Sequence, residues 1–164
     1  MDKEQEWRSI LASSLNWEQA HSSLENVLRG FPGDLRGKRP QGFAHSAWEL
    51  LEHIRITQRD LLDFLQDPEY EEKLEWPRDY WPKSMAPSGD KEWNGAVSGW
   101  KKDRIALERF TRESKVDMTS RIPRGTGQTY LRTILVVVDH ASYHLAQIVT
   151  VRQLLGAWPP PKEK

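Results

Sequence analysis

There is no cysteine in this chain of 164 residues. Disulfides are excluded, and so are thiolate metal ligands and a cysteine nucleophile. A metal site made by this protein must draw on His, Asp or Glu. Net charge is also missing, because 24 Lys and Arg offset 24 Asp and Glu. A formal charge of zero, with no dense basic run, gives no electrostatic case for nucleic acid or an anionic membrane surface as partner. Long apolar runs are absent too. The longest, Ile134 to Val138, is far too short to cross a bilayer. The charged start, Met1-Asp2-Lys3-Glu4-Gln5-Glu6, has no apolar signal core. These absences make a soluble cytoplasmic protein the expectation. Several catalytic signatures are lacking as well. There is no glycine-rich phosphate loop, Arg124-Gly125-Thr126-Gly127 reading more simply as a turn, and no serine nucleophile elbow. The paired Glu-x-x-His motifs of di-iron bundles do not occur.

What is present is helical periodicity. Hydrophobic content is only 37%, yet there are 8 Trp, and large aromatic rings raise the area that a few positions can bury. The first segment runs from about Lys3 to Arg29, with Trp7, Ile10, Leu11, Leu24, Val27 and Leu28 at helical spacing. Ser13-Ser14-Leu15-Asn16 is a poor helix interior and a place for a break. A loop follows from Gly30 to Gly42. The second segment starts near Ser46, where Ser46 and Glu49 match a capping box, and ends at Asp67-Pro68. The stretch from about Gln66 to Asp90 carries Pro68, Pro77, Pro82 and Pro87, which argue against a regular helix. It also carries Trp76, Tyr80 and Trp81, which suit packing on the domain, with a role as a roof over a pocket as the alternative. The third segment spans about Asp90 to Ser114. A turn-rich stretch leads to the fourth, about Gln128 to Leu155, which Gly156 and Pro159 end.

No strand alternation appears, so the expected fold is all-α: a four-helix bundle formed as a single domain over residues 1–164. The connection between helices two and three is long enough to return along the bundle, which allows those two helices to run parallel in up-down-down-up order.

His140 and His144 lie one helical turn apart in the fourth segment, and an i, i+4 pair of imidazoles can hold one divalent cation. At about 100° per residue, Val136, Val137, Tyr143, Gln147, Val151 and Leu154 share their face, so the pair belongs to a buried stripe. His53 sits mid-helix in the second segment, beside Glu49, Thr57 and Asp60, and at a matching height. Spacing alone leaves two readings open: a three-histidine metal site, or core histidines hydrogen-bonded to carboxylates or carbonyls. His140-Ala141-Ser142-Tyr143-His144 lacks the glutamate of zinc proteases. His45 belongs in a loop or at a helix start, and His21 reads as a partly buried structural residue.

Two stretches resemble the histidine motifs of the DinB superfamily. Trp48-Glu49-Leu50-Leu51-Glu52-His53-Ile54-Arg55 is similar to the first, and Asp139-His140-Ala141-Ser142-Tyr143-His144-Leu145-Ala146-Gln147-Ile148 to the second. The tail from Arg152 to Pro159 is similar as well. The resemblance implies an up-down-down-up four-helix bundle and a divalent metal held by His53, His140 and His144. Zn or Ni leads among the candidate ions, with Fe, Mn and Cu as alternatives. Some relatives are transferases or isomerases that use a low-molecular-weight thiol, and many have no known activity. The function expected here is therefore a metal-dependent transferase that activates an external thiol against a small electrophile. A metal hydrolase and a non-catalytic metal-binding bundle are the alternatives. The reacting group would be water or thiol on the metal, with Glu49, Tyr143 and Gln147 as candidate helpers. Glu49, Asp60 and Asp139 are candidates to hold the far nitrogens of the ligand imidazoles, Asp139 being the one turned aside. A small-molecule substrate is the expected partner, and the family makes a homodimer plausible.

Overall fold

The computed structural model describes residues 2–160 and 162. Its helices are α1 (Lys3–Ser14), α2 (Leu24–Leu28), α3 (Ala47–Gln66), α4 (Asp90–Glu113) and α5 (Tyr130–Leu154), with single 3-10 turns at Gly33–Leu35 and Arg78–Tyr80. No strand occurs among the described residues; one isolated antiparallel bridge joins Arg121 and Thr129. Among the described residues the architecture is all-helical, with five α-helices rather than four.

The extra helix comes from the serine pair in the first segment. Ser13 and Ser14 donate back to the carbonyls of Ser9 and Leu11, at 2.9 and 2.7 Å, and the helix stops there. The chain re-enters a helix at α2, where the Ser23 hydroxyl accepts the Asn26 N–H at 3.3 Å. The residues between are largely exposed. His21 is among them, its Nδ1 lying 3.0 Å from the neighbouring Ser22 carbonyl, so the expectation of a partly buried His21 is corrected.

The start of α3 follows its sequence. The Ser46 hydroxyl accepts the Glu49 N–H at 3.2 Å, and the Glu49 carboxylate accepts the Ser46 N–H at 2.8 Å, a complete capping box. α3 packs against both α4 and α5, α1 packs against α4, and α2 packs against α5.

The core divides into two apolar clusters. One joins Leu50, Leu51 and Ile54 of α3 with Trp93 and Trp100 of α4, Leu145, Ile148 and Val151 of α5, and α2. The other joins Leu62 and Leu65 of α3 with Leu107 of α4, Tyr130, Ile134 and Val137 of α5, and Leu11 of α1. The N-terminal halves of α3 and α4 thus meet the C-terminal half of α5. Between the clusters lies a polar layer containing His53, Thr57, Gln58, Asp103 and Arg104. Gln58 donates to the Trp100 carbonyl at 2.8 Å, and Arg59 reaches Asp103 at 3.1 Å, so parts of this layer are satisfied internally.

The connection from α3 to α4 lies along α3. Tyr70 and Tyr80 bond to Asp60, the Tyr80 carbonyl meets His53, and Ser46 donates to the Met85 carbonyl at 2.6 Å. The segment therefore travels from the end of α3 back to its beginning, which accounts for its length. Near Ser46 it crosses the loop before α3 so closely that a Cβ on Gly37 would lie 2.3 Å from the Ala86 Cβ.

Gly156 follows the end of α5, as read from the sequence, and does so in the left-handed conformation at φ +69°. Among the described residues α5 is the one helix long and apolar enough to cross a membrane. Its apolar surplus serves the core, since Ile134, Val137, Leu145, Ile148 and Val151 are all buried in the two clusters. Leu154, placed on the buried stripe by periodicity, is instead 58% exposed because α5 ends there. Arg152 is fully buried and donates to the carbonyls of Val27, Arg29, Gly30 and Ala157, which fastens α2 and the tail to α5.

Candidate metal centre

His53, His140 and His144 meet at the break between the two apolar clusters. Their ring centroids are 4.8, 4.6 and 4.6 Å apart, nearly an equilateral triangle. One nitrogen from each lies within 4.8 Å of the others, a set that could hold a metal ion. The Nε2 atoms of His53 and His140 are 3.0 Å apart. Imidazoles sharing one ion at about 2.0–2.1 Å place their nitrogens about 3.0–3.4 Å apart, so this pair already stands at ligand spacing. His53 and His144 are buried and His140 is half-buried.

Hydrogen bonds fix two of the three tautomers. His53 Nδ1 donates to the Tyr80 carbonyl at 2.7 Å, and His144 Nδ1 donates to Gln147 Oε1 at 2.7 Å. Each ring is left with an Nε2 lone pair facing the cluster, the form a metal requires.

The electrostatics favour the same form. Burial lowers the pKa of all three imidazoles. For His140 the fall reaches about 3, driven first by burial and then by His144 and His53. In His53 burial outweighs the bond to Tyr80, with His144 and His45 adding to the fall. In His144 burial outweighs the bond to Gln147. The cluster is thus held neutral at pH 7, ready to donate electron pairs.

An aromatic wall closes one side. Trp81 stacks on His53 with centroids 3.9 Å apart and planes 1° from parallel, and His45 stacks on Trp81 at 4.0 Å. Trp76 packs edge-on against Tyr80 at 5.2 Å and reaches within 6.1 Å of His53, yet is 64% exposed. Tyr80 and Trp81 thus pack on the helices as expected, and Trp76 alone stands at the surface. The cavity of about 300 Å³ lined by Arg55, Arg59, Asp60 and Tyr70 lies along α3 and is not lined by the histidines.

The remaining candidates are sorted by their partners. Glu49 does not hold an imidazole; it completes the capping box and pairs with Arg39. Burial raises its pKa, but the Arg39 guanidinium and the Ser46 N–H outweigh that and hold it below the ordinary value. Asp60 accepts from Tyr70 and Tyr80 rather than from His53. Asp139 is exposed, in keeping with its off-axis position. Gln147 is committed to His144. Tyr143 is 63% exposed, its ring edge-on to His144 at 4.9 Å. Sequence reasoning missed one contributor, the Tyr80 carbonyl, a main-chain acceptor with no side-chain signature. Thr57, which periodicity puts beside His53, has a buried hydroxyl without a hydrogen-bond partner.

The family model of the DinB superfamily matches residues 16–148. The chain belongs to the DinB superfamily. A search of curated proteins and a search of solved structures each gave no match. The matched span contains α2, α3, α4 and α5 down to Ile148, and with them all three histidines. The DinB resemblance read from the two sequence motifs is thereby confirmed.

Proposed function

We propose that this DinB protein binds a divalent ion, Zn or Ni, through His53, His140 and His144 and uses it to join a low-molecular-weight thiol to a small electrophile. The observation that carries the reading is the convergence of three neutral imidazoles, two with their outer nitrogens already tied off. An ion held by three such ligands keeps open positions and lowers the pKa of a water or thiol placed there. The chain has no cysteine, so a reacting sulfur has to come from outside. The protein's own part is to present the Nε2 atoms, keep them unprotonated, and shield one side with Trp81.

We also read the four long helices as a bundle in up-down-down-up order. The support is that α3 and α4 meet through their N-terminal halves, with a connection that doubles back along α3. Residues 1–164 are treated as one domain of a cytoplasmic homodimer. Exposed Ile10, Ile105 and Leu135 offer apolar surface for self-association, and light scattering tests it.

The first test is elemental analysis of tag-free protein beside His53→Ala. We expect near-stoichiometric transition metal in the wild type and a large loss in the variant. Equal content in both would remove His53 from the ligand set. The second is a panel of electrophiles assayed for thiol consumption, run beside ester and amide substrates without thiol. Turnover confined to the second panel would replace the transferase reading with hydrolysis. A strong metal-induced rise in melting temperature without turnover in either panel would leave a structural metal site.

A further inference from the structure

Asp60 touches no histidine, yet it fastens the residue that orients one. Its two carboxylate oxygens accept the Tyr70 hydroxyl at 2.8 Å and the Tyr80 hydroxyl at 2.7 Å. Tyr80 is bound to α3 at two places: its side chain at Asp60, and its carbonyl at His53 Nδ1 at 2.7 Å. The two anchor residues lie two turns apart on α3, which holds their separation rigid. The next residue, Trp81, is the one stacked on the His53 ring. The segment between α3 and α4 has only a single 3-10 turn of regular structure, so its position here depends on such anchors.

We infer that Asp60 is a positioning residue for the metal centre, acting through Tyr80 to fix the tautomer and rotation of His53. The inference rests on the metal reading above. A carboxylate suits the task because it only accepts, and two tyrosine hydroxyls present two donors to it. Burial and the bond to Asp60 both push the Tyr70 and Tyr80 hydroxyls above their ordinary pKa, so they remain donors throughout the working pH range. An asparagine at this position must turn one of the two bonds round. Without the pin the Tyr80 carbonyl is free to leave Nδ1, and the ring can then rotate or take the other tautomer. Removal of such outer partners typically costs 10–100-fold in metal affinity.

The test is Co(II) titration of metal-free wild type, Asp60→Asn, Tyr80→Phe and Tyr70→Phe, followed by the visible absorption of the bound ion. Circular dichroism of each metal-free protein checks the fold. Asp60→Asn and Tyr80→Phe are expected to bind about 10-fold more weakly, with altered band positions at saturation. Tyr70→Phe, which leaves both Tyr80 bonds in place, is expected to show the smaller effect. A purely structural role would lower the melting temperature of the metal-free protein and leave the saturated spectrum unchanged. Should Asp60→Asn fail to fold, Tyr80→Phe removes a single hydroxyl and carries the test alone. Wild-type affinity and spectrum in both variants would overturn this inference while leaving the metal reading intact. A wild type that takes up no Co(II) would overturn both.

Discussion

Acidification of the metal-free protein gives the most direct test of how the imidazole cluster is held. The folded protein keeps His140 neutral down to about pH 3, whereas an unfolded chain protonates it near 6.5. Between those values the unfolded state binds a proton that the folded state refuses. Stability is therefore complete above about pH 6.5 and is lost as the pH falls toward 3. At pH 4.5, two units below the unfolded value, the loss through His140 is at most about 2.7 kcal/mol. Solvent reaches part of the ring, and screening lowers this to about 2 kcal/mol. In a domain of this size each kcal/mol shifts Tm by about 2–4 °C, so His140 accounts for roughly 4–8 °C. His53 and His144 move in the same direction and add to it. The assay is thermal unfolding in excess chelator at pH 7 and pH 4.5, for wild type and His140→Gln. Carboxylate titration is common to both proteins and cancels in the comparison. The variant should lose about 4–8 °C less than wild type. Equal losses would refute the claim that burial holds these rings neutral.

Three further outcomes follow from the packing. Arg152→Ala removes the donor from four main-chain carbonyls at once and should cost about 3 kcal/mol or more in urea unfolding. Gly37→Ala places a Cβ inside the Ala86 contact, 2.9 Å from its Cα, and should destabilise by about 1–3 kcal/mol in the same assay. Leu107→Ala empties part of the second apolar cluster and should cost about 2–5 kcal/mol, read as a lower denaturation midpoint with an unchanged slope.

The helices were legible because each of their signals is local. Ser46 and Glu49 write the start of α3 within four residues, and Gly156 writes the end of α5. The break after Ser14 was also written locally, in side chains that compete for the backbone. The length of the interruption was not, because it depends on where α2 docks on α5. The histidine face of α5 was readable from the spacing of Val137, His140, His144 and Val151. Leu154 falls on the same stripe but stands past the last packed turn, and periodicity carries no information about where a neighbouring helix stops.

The candidate centre was legible only as a set of possible ligands. His53, His140 and His144 could be named from two motifs, but what holds their rings comes from elsewhere in the chain. The carboxylate nearest His53 on the helix wheel, Asp60, suggests a direct bond to the imidazole. Its position two turns away puts it beyond the ring, and two tyrosines from the long connection take both its oxygens. The acceptor that His53 does find is a carbonyl, which any residue type could supply. A search over side chains therefore names Asp60 beside Glu49 and Asp139 and gives it a bond to the imidazole that it does not make. The same reasoning explains the aromatic connection. Its tyrosines and Trp81 cover the gap in the core where the polar layer interrupts the two apolar clusters. A histidine cluster kept neutral needs such a wall, since open water on that side would restore the solvation that favours protonation. The long connection, unusual in a compact domain, is thus part of the site, and its length is set by the distance it must travel back along α3.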